Sequence, residues 1–257
     1  MGRLDGKIAI VTGGARGIGR AIVEKFSAEG ATVAAFDLDE AGLVSMARDL
    51  ERTGTSIQAI RVDVTTEPDV SAGVARVLER HHRVDVLVNN AGTNAYFDAT
   101  RMSEAEWDQV FAVDLKGAWL CAKHVLPGMI ERRGGSIVNI ASIHATLTIA
   151  GMFPYAAAKS ALVGLTRSLA LDYAAQGIRV NTVSPGWTRT RLVEEWFARQ
   201  SDPKTAEASI VNVHPMKRIA TAEEVANLVA FVASDEASAM TGAELAVDCG
   251  LGVQFAT

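Results

Sequence analysis

Along most of this chain, short runs of valine, isoleucine, leucine and alanine alternate with longer stretches whose apolar residues recur every three or four positions. The short runs fall at residues 7–12, 31–37, 57–63, 84–89, 136–141, 178–184 and 244–247. They are continuously apolar rather than alternating, the pattern of strands covered on both faces. Between them, helical periodicity spans residues 17–29, 40–52, 67–82, 104–132, 155–176 and 222–234. Such alternation, joined by right-handed crossovers, predicts an α/β fold: one doubly wound, Rossmann-type parallel sheet of about seven strands. No linker, repeat or low-complexity stretch interrupts it, so residues 1–257 read as a single domain.

One segment breaks the rhythm. Residues 186–218 hold no strand pattern, only two short amphipathic pieces near 191–200 and 204–213. The segment follows the carboxyl end of a strand, where ligands bind in such sheets, and it carries Trp187, Trp196 and Phe197. It predicts a helical cover over a substrate.

Composition narrows the function. Apolar residues make up 49% of the chain, enough for a large core. Acidic residues outnumber basic ones, 30 to 25, and no element carries a basic stripe, which argues against nucleic acid. Cys121 and Cys249 make no CxxC or ligand pattern and read as core thiols in a reducing cytosol. His81, His82 and His124 have no metal-ligand spacing, so no catalytic metal is expected. No apolar run approaches the roughly 18 residues that would span a bilayer, and no secretory leader opens the chain. A soluble, cytoplasmic protein with no membrane partner is the expectation.

The first strand runs into Thr12-Gly13-Gly14-Ala15-Arg16-Gly17-Ile18-Gly19, which opens the first helix. Glycines there let the backbone turn tightly and approach a pyrophosphate, which then rests on the helix N-terminus. Asp37 ends the second strand, eighteen residues after Gly19. A carboxylate at that place accepts hydrogen bonds from ribose hydroxyls and repels a 2′-phosphate. Arg16 pulls the other way, because a guanidinium can hold that phosphate. Repulsion at close range is harder to relieve than a swing of Arg16 into solvent, so the cofactor reads as NAD, with NADP less favoured.

Tyr155 and Lys159 stand four positions apart, one turn apart on a helix face, with Ser142 thirteen residues upstream of the tyrosine. An ammonium beside a phenol favours the phenolate, drawing the tyrosine from its reference value of about 10 toward that of a general base. With the glycine turn, the pair points to hydride transfer at an alcohol carbon.

Together these residues resemble the short-chain dehydrogenase/reductase family over essentially the whole chain. The resemblance implies that Gly13, Arg16, Gly17, Ile18 and Gly19 form the cofactor loop, with Asp37 and Leu38 beside the ribose and Asp63 and Val64 holding the adenine. Asn89-Asn90-Ala91-Gly92 matches the segment that supports the sheet, with Asn89, Ala91 and Gly92 along the cofactor. Pro185, Gly186 and Thr188 match the turn that holds the nicotinamide. Ser142, Tyr155 and Lys159 match the catalytic residues: the serine steadies the substrate oxygen, the tyrosine exchanges the hydroxyl proton, and the lysine tunes the tyrosine and bonds the ribose. Asp114 stands where the family has an asparagine whose main-chain carbonyl holds a water. That role survives a changed side chain, so activity is expected to persist and an Asp114→Asn swap to leave turnover within an order of magnitude. Cys249 replaces a usual glycine and reads as packing only.

For the substrate, His144, Asn94, Trp187 and Trp196 are the candidates beside Ser142 and Tyr155. Polar groups that bond hydroxyls, with a tryptophan for a ring face, suit a sugar better than a long acyl chain. The 142–144 and 152–155 runs and the segment around Trp196 look like bacterial sugar dehydrogenases of the family, which oxidise an aldose to its lactone or act on a sugar acid. A 3-oxoacyl-carrier-protein reductase is the enzymatic alternative, and a non-catalytic nucleotide sensor the alternative of another class. Ala158, Ala161, Leu162, Leu165, Leu169 and Ala170 leave the 155–176 helix apolar on more than one face. With the family's habits, that predicts a homotetramer, a dimer being the alternative.

Overall fold

All seven predicted strands form and lie in one parallel sheet. In this computed structural model, which describes residues 2–52 and 54–254, they are β1 (Ile8–Thr12), β2 (Thr32–Asp37), β3 (Gln58–Arg61), β4 (Val86–Asn89), β5 (Gly135–Ile140), β6 (Ile178–Pro185) and, after two short strands, β9 (Glu244–Val247). The short pair is β7 (Thr188–Arg189) and β8 (Ala220–Thr221), parallel to each other. Met1, Thr53 and residues 255–257 of the expected domain lie outside the described residues.

The sheet order is β3-β2-β1-β4-β5-β6-β9. The chain works outward from β1 to β3, then returns to place β4 on the other side of β1. That reversal leaves a crevice between the carboxyl ends of β1 and β4, the switch point where such sheets take ligands.

The apolar strands are explained by what covers them. Ala9 and Val11 of β1 pack on one face with α1 (Gly17–Ala28), α2 (Glu40–Glu51) and α9 (Ala222–Ala233). Ile10 packs on the other, with α3 (Glu67–His81), α5 (Gly117–Arg132) and α6 (Tyr155–Tyr173). Alternate residues of a strand thus enter two separate cores. Phe26 of α1 and Phe36 of β2 are fully buried, one in each core, and each contributes about 1.5–3 kcal/mol relative to exposure.

The helical pattern predicted over 104–132 is not one helix. α4 (Glu104–Phe111), opened by a capping box from Ser103 and Glu106, runs into a π-helical turn at Ala112–Lys116 and then into α5. The wide turn rotates Asp114 inward, where it is 1% exposed. Such turns inside helices are frequent at functional sites. Nothing in the apolar spacing marks this one.

Residues 186–218 hold two helices, α7 (Arg191–Ala198) and α8 (Pro203–Val213), capped by Thr190 and Asp202. Arg189 bridges Glu194 of α7 to Glu207 of α8. No helix among the described residues is long and apolar enough to cross a membrane.

Candidate active site

The glycine turn is built by its neighbours across the crevice. Thr12 Oγ1 accepts the N–H groups of Asn90 and Ala91, both at 3.0 Å. In return, Asn90 Nδ2 donates to the carbonyls of Thr12 and Gly13, at 3.0 and 3.1 Å. Gly13 takes a φ of 64°, and a Cβ on Gly19 would stand 1.9 Å from the Gly13 oxygen, so neither position accepts a side chain. Arg16 is exposed just before α1, and Ile18 and Gly19 lie in its first turn.

Around the turn, Asp37 accepts the Ala15 N–H (3.0 Å) on one oxygen and the Asp39 N–H (2.9 Å) on the other, tying β2 to the glycine loop. Leu38 beside it is 53% exposed, an open apolar face. Asp63 closes its own turn by accepting from the N–H and hydroxyl of Thr65, and Val64 is buried against Gly117. At the end of β6, Pro185 is buried, Gly186 donates to Val247, and Thr188 donates its hydroxyl to Gly186. A backbone cradle that a methyl group would fill, with a carboxylate at the end of β2, fits a dinucleotide. Asn89 is the exception among the expected cofactor residues. Its amide turns into the core, bonding Asn139 Oδ1 (2.8 Å) and the Ala118 carbonyl (3.3 Å).

That inward amide starts a buried polar chain absent from the sequence reading. Asn139 donates to Thr166 of α6 at 2.8 Å, Thr182 of β6 donates to the same hydroxyl at 2.8 Å, and Thr166 donates to Leu162. It pins α6 to three strands. The available signal was Asn139 itself, an amide inside an otherwise apolar strand.

α6 carries the reactive pair. Tyr155 opens the helix and Lys159, 4% exposed, follows one turn on, its Nζ 5.6 Å from the tyrosine ring centroid. Ser142 follows β5, buried, with Oγ accepting the His144 N–H at 3.2 Å. Its hydroxyl hydrogen is left to donate into the cleft. Lys159 Nζ also donates to the Ile140 carbonyl (3.2 Å) and pairs with Asp114 Oδ1 (3.0 Å). Burial works against the Lys159 charge, but Asp114, with Tyr155 adding to it, outweighs this and raises the lysine above its ordinary value. Asp114 therefore meets the lysine through its carboxylate, a side-chain contact the sequence reading did not anticipate.

Two rings flank Tyr155. His144 meets it edge-on at 6.2 Å, and burial lowers this imidazole, against a bond to the Leu147 backbone, so it is neutral at neutral pH. Tyr96 meets it at 5.9 Å from the loop after Gly92, where the Phe97 N–H bonds the Phe153 carbonyl (2.8 Å). Desolvation first, then Tyr155 and Asp114, push the Tyr96 phenol up to about 12, so it stays protonated. Asn94, the residue expected from this loop, stands exposed. The Tyr96-Phe97 pair in a polar loop was the missed signal. Trp187 packs on Trp196 (5.2 Å) and Phe197 (6.2 Å), gathering the expected tryptophans into one cluster.

A glycine turn at the switch point of a doubly wound sheet, with a Tyr–Lys pair across the crevice, defines a nicotinamide-dependent oxidoreductase. Comparison with known proteins makes this specific. The family model described as enoyl-(acyl carrier protein) reductase matches residues 13–252. The chain belongs to the short-chain dehydrogenase/reductase family, as a dehydrogenase or reductase acting on CH–OH groups. It is 40% identical to oxidoreductase UcpA of Salmonella typhimurium, covering 97% of this chain and 96% of that one. It is 37% identical to the 3-oxoacyl-[acyl-carrier-protein] reductase FabG of Thermotoga maritima, over 97% and 99% of the two chains. Among solved structures, ligand-free Thermoplasma acidophilum aldohexose dehydrogenase (AldT) superposes with a TM-score of 0.89 at 37% identity, over 98% and 96%.

Proposed function

We propose that this protein oxidises a hydroxyl of a small polar substrate, an aldose or a sugar acid, using NAD. The observation that carries the reading is the pair of polar rings beside Tyr155, the Tyr96 phenol and the His144 imidazole, with the Trp187–Trp196 pair on the segment after β6 to supply a flat face. Neutral donors and flat ring faces of this kind bond hydroxyls and cover the C–H face of a sugar. The likeness to an aldohexose dehydrogenase supports it.

In this reading Ser142 donates its free hydroxyl to the substrate oxygen. Tyr155 takes the hydroxyl proton, and Lys159 stands behind it with a donor free for a ribose hydroxyl. Gly13, Gly17 and Gly19 hold the pyrophosphate, Asp37 the adenosine ribose, and Thr188 the carboxamide. A bound nicotinamide supplies the hydride acceptor. Trp187 and Trp196 bring the α7–α8 segment over the substrate as a cover.

FabG stands at the same identity as the aldohexose dehydrogenase, so oxoacyl reduction is the second reading. An acidic carrier protein would need a basic surface. Arg132 and Arg133, the pair at the end of α5, each hydrogen-bond a backbone carbonyl, of Val84 and Ala175, and keep their charge at the surface, so the thioester assay and not this pair decides between the readings. Self-association belongs to the proposal too: Phe111, Trp119, Ala161 and Leu165 line an apolar groove beside α6 that a second copy would cover. A homotetramer or dimer is expected, and a monomer mass by light scattering would refute it.

A panel of aldoses, sugar acids, polyols and a 3-oxoacyl thioester, each with NAD or NADP in the matching redox state, tests the function. Turnover of a sugar with NAD is the expected result. Turnover of the thioester alone, with NADPH, would overturn the sugar reading.

A further inference from the structure

The buried cation of this site has a buried carboxylate for company. The Asp114 side chain is fully covered and that of Lys159 is 5% exposed, with 3.0 Å between Nζ and Oδ1. Both Asp114 oxygens accept the Thr93 N–H, at 3.2 and 3.3 Å. A Cβ at Gly92 would lie 2.9 Å from Oδ1 and 3.1 Å from Nζ, so the pair is wedged beneath the turn after β4 and only glycine leaves it room. The π-helical turn delivers Asp114 to this position from the far side. The titratable groups facing the pair are Tyr155 from α6, Tyr96 from the loop after Gly92, and His144, whose ring meets Tyr155, from the turn after β5. Tyr96, pushed up to about 12, keeps its proton through the working range, and burial favours the neutral form of His144.

The charges in contact there are those of Asp114 and Lys159, beside the Tyr155 ring. A lone ammonium within about 4–6 Å favours ionisation of an acid by about 1–3 pH units, and an adjacent carboxylate cancels much of that effect. We propose that Asp114 is a positioning residue: it is the counter-ion of Lys159, anchors the ammonium under the turn, and raises the pH at which Tyr155 can take a proton from substrate. An amide at 114 would leave the cation uncompensated and let the same site work at lower pH. This inference rests on Tyr155 as the base of hydroxyl oxidation, and it adds a side-chain role at 114 to the main-chain role expected there.

Two measurements test it. The first is the pH profile of oxidation for the wild type and Asp114→Asn, using a substrate found in the panel. The pH of half-maximal kcat/KM should fall by about one unit in the variant. The second needs no turnover: melting temperatures at neutral pH of Lys159→Met alone and combined with Asp114→Asn. The single variant strands a buried carboxylate, so the double variant should melt higher. An unchanged pH midpoint, or a double variant that melts no higher than the single one, overturns the proposal. If no substrate turns over at all, the functional reading fails while the melting comparison still decides the ion pair.

Discussion

On the nucleotide side of the cleft, each turn is tied to the next by side-chain-to-backbone hydrogen bonds: Thr12 to Asn90 and Ala91, Asn90 to Gly13, Asp37 to Ala15. On the substrate side, rings lean on rings 5–6 Å apart, Trp196 and Tyr96 are 41% and 46% exposed, and α7 is held to α8 by exposed ion pairs. Exposed pairs of that kind contribute about 0–1 kcal/mol each, so the ring packing around the buried Phe197 carries most of the hold on the α7–α8 segment. In the proposed function the hydrogen-bonded side is the cradle for a constant ligand and the ring-lined side the wall for a variable one.

The hardest blow to this comparison is to separate binding from chemistry. Tyr155→Phe keeps the ring packed between Tyr96 and His144 but removes the proton acceptor. Turnover should fall by about 10²–10⁴, the usual worth of general acid–base catalysis, while fluorescence titration still shows nicotinamide binding. Retained turnover would move the chemistry away from α6, and lost binding would mean that the two sides are not separable.

The next largest effect concerns the core under the hydrogen-bonded side. Burial pushes the Cys121 thiol from its ordinary value of 9.0 up to about 12. The folded state therefore holds a proton that the unfolded state releases, and stability is full below pH 9 and lost as pH rises toward 12. At pH 10.5 this one group withdraws about 2 kcal/mol, at 1.36 kcal/mol per unit. Lys159, raised above its ordinary value, acts with the same sign above 10.5: its stabilisation is full below that pH and lost as pH climbs through the folded value. Chemical denaturation at pH 8 and 10.5 should show the loss, and Cys121→Ala, though weaker at pH 8, should lose less between them. Equal losses would place the alkaline weakness elsewhere.

The same division explains what could be read from the sequence. The nucleotide side was legible because its constraints are local: a glycine whose missing Cβ makes the turn, and a carboxylate at a strand end, both printed in consecutive residues. Seven continuously apolar runs gave the sheet, because each strand is covered twice. The wall was less legible because its contacts join distant segments. Tyr96 meets Tyr155 across 59 positions of chain, and only the folded loop shows that it, not Asn94, is the neighbouring side chain. Asp114 was noticed as a departure, but its reach to Lys159 depends on a π-helical turn that leaves no mark in the periodicity.

Cofactor choice gives the smallest effect and the sharpest test of the hydrogen-bonded side, because Asp37 does two things there. Its carboxylate braces the glycine loop through the Ala15 N–H, and its charge would repel a 2′-phosphate. Asp37→Ala removes both, so a loss of binding in that variant alone would not separate them. Asp37→Asn keeps an acceptor for the Ala15 N–H, deletes the charge and gives up only the second acceptor, which holds the Asp39 N–H outside the glycine loop. If the charge sets the preference, the Asn variant should bind NAD nearly as the wild type does and gain about tenfold for NADP, about 1.4 kcal/mol of relieved repulsion. The Ala variant should weaken both, because the loop loses its brace. Dissociation constants for NAD and NADP with all three proteins decide it. An unchanged ratio in Asp37→Asn would refute the charge as selector and pass the choice to Arg16, whose exposed guanidinium lies in the same loop.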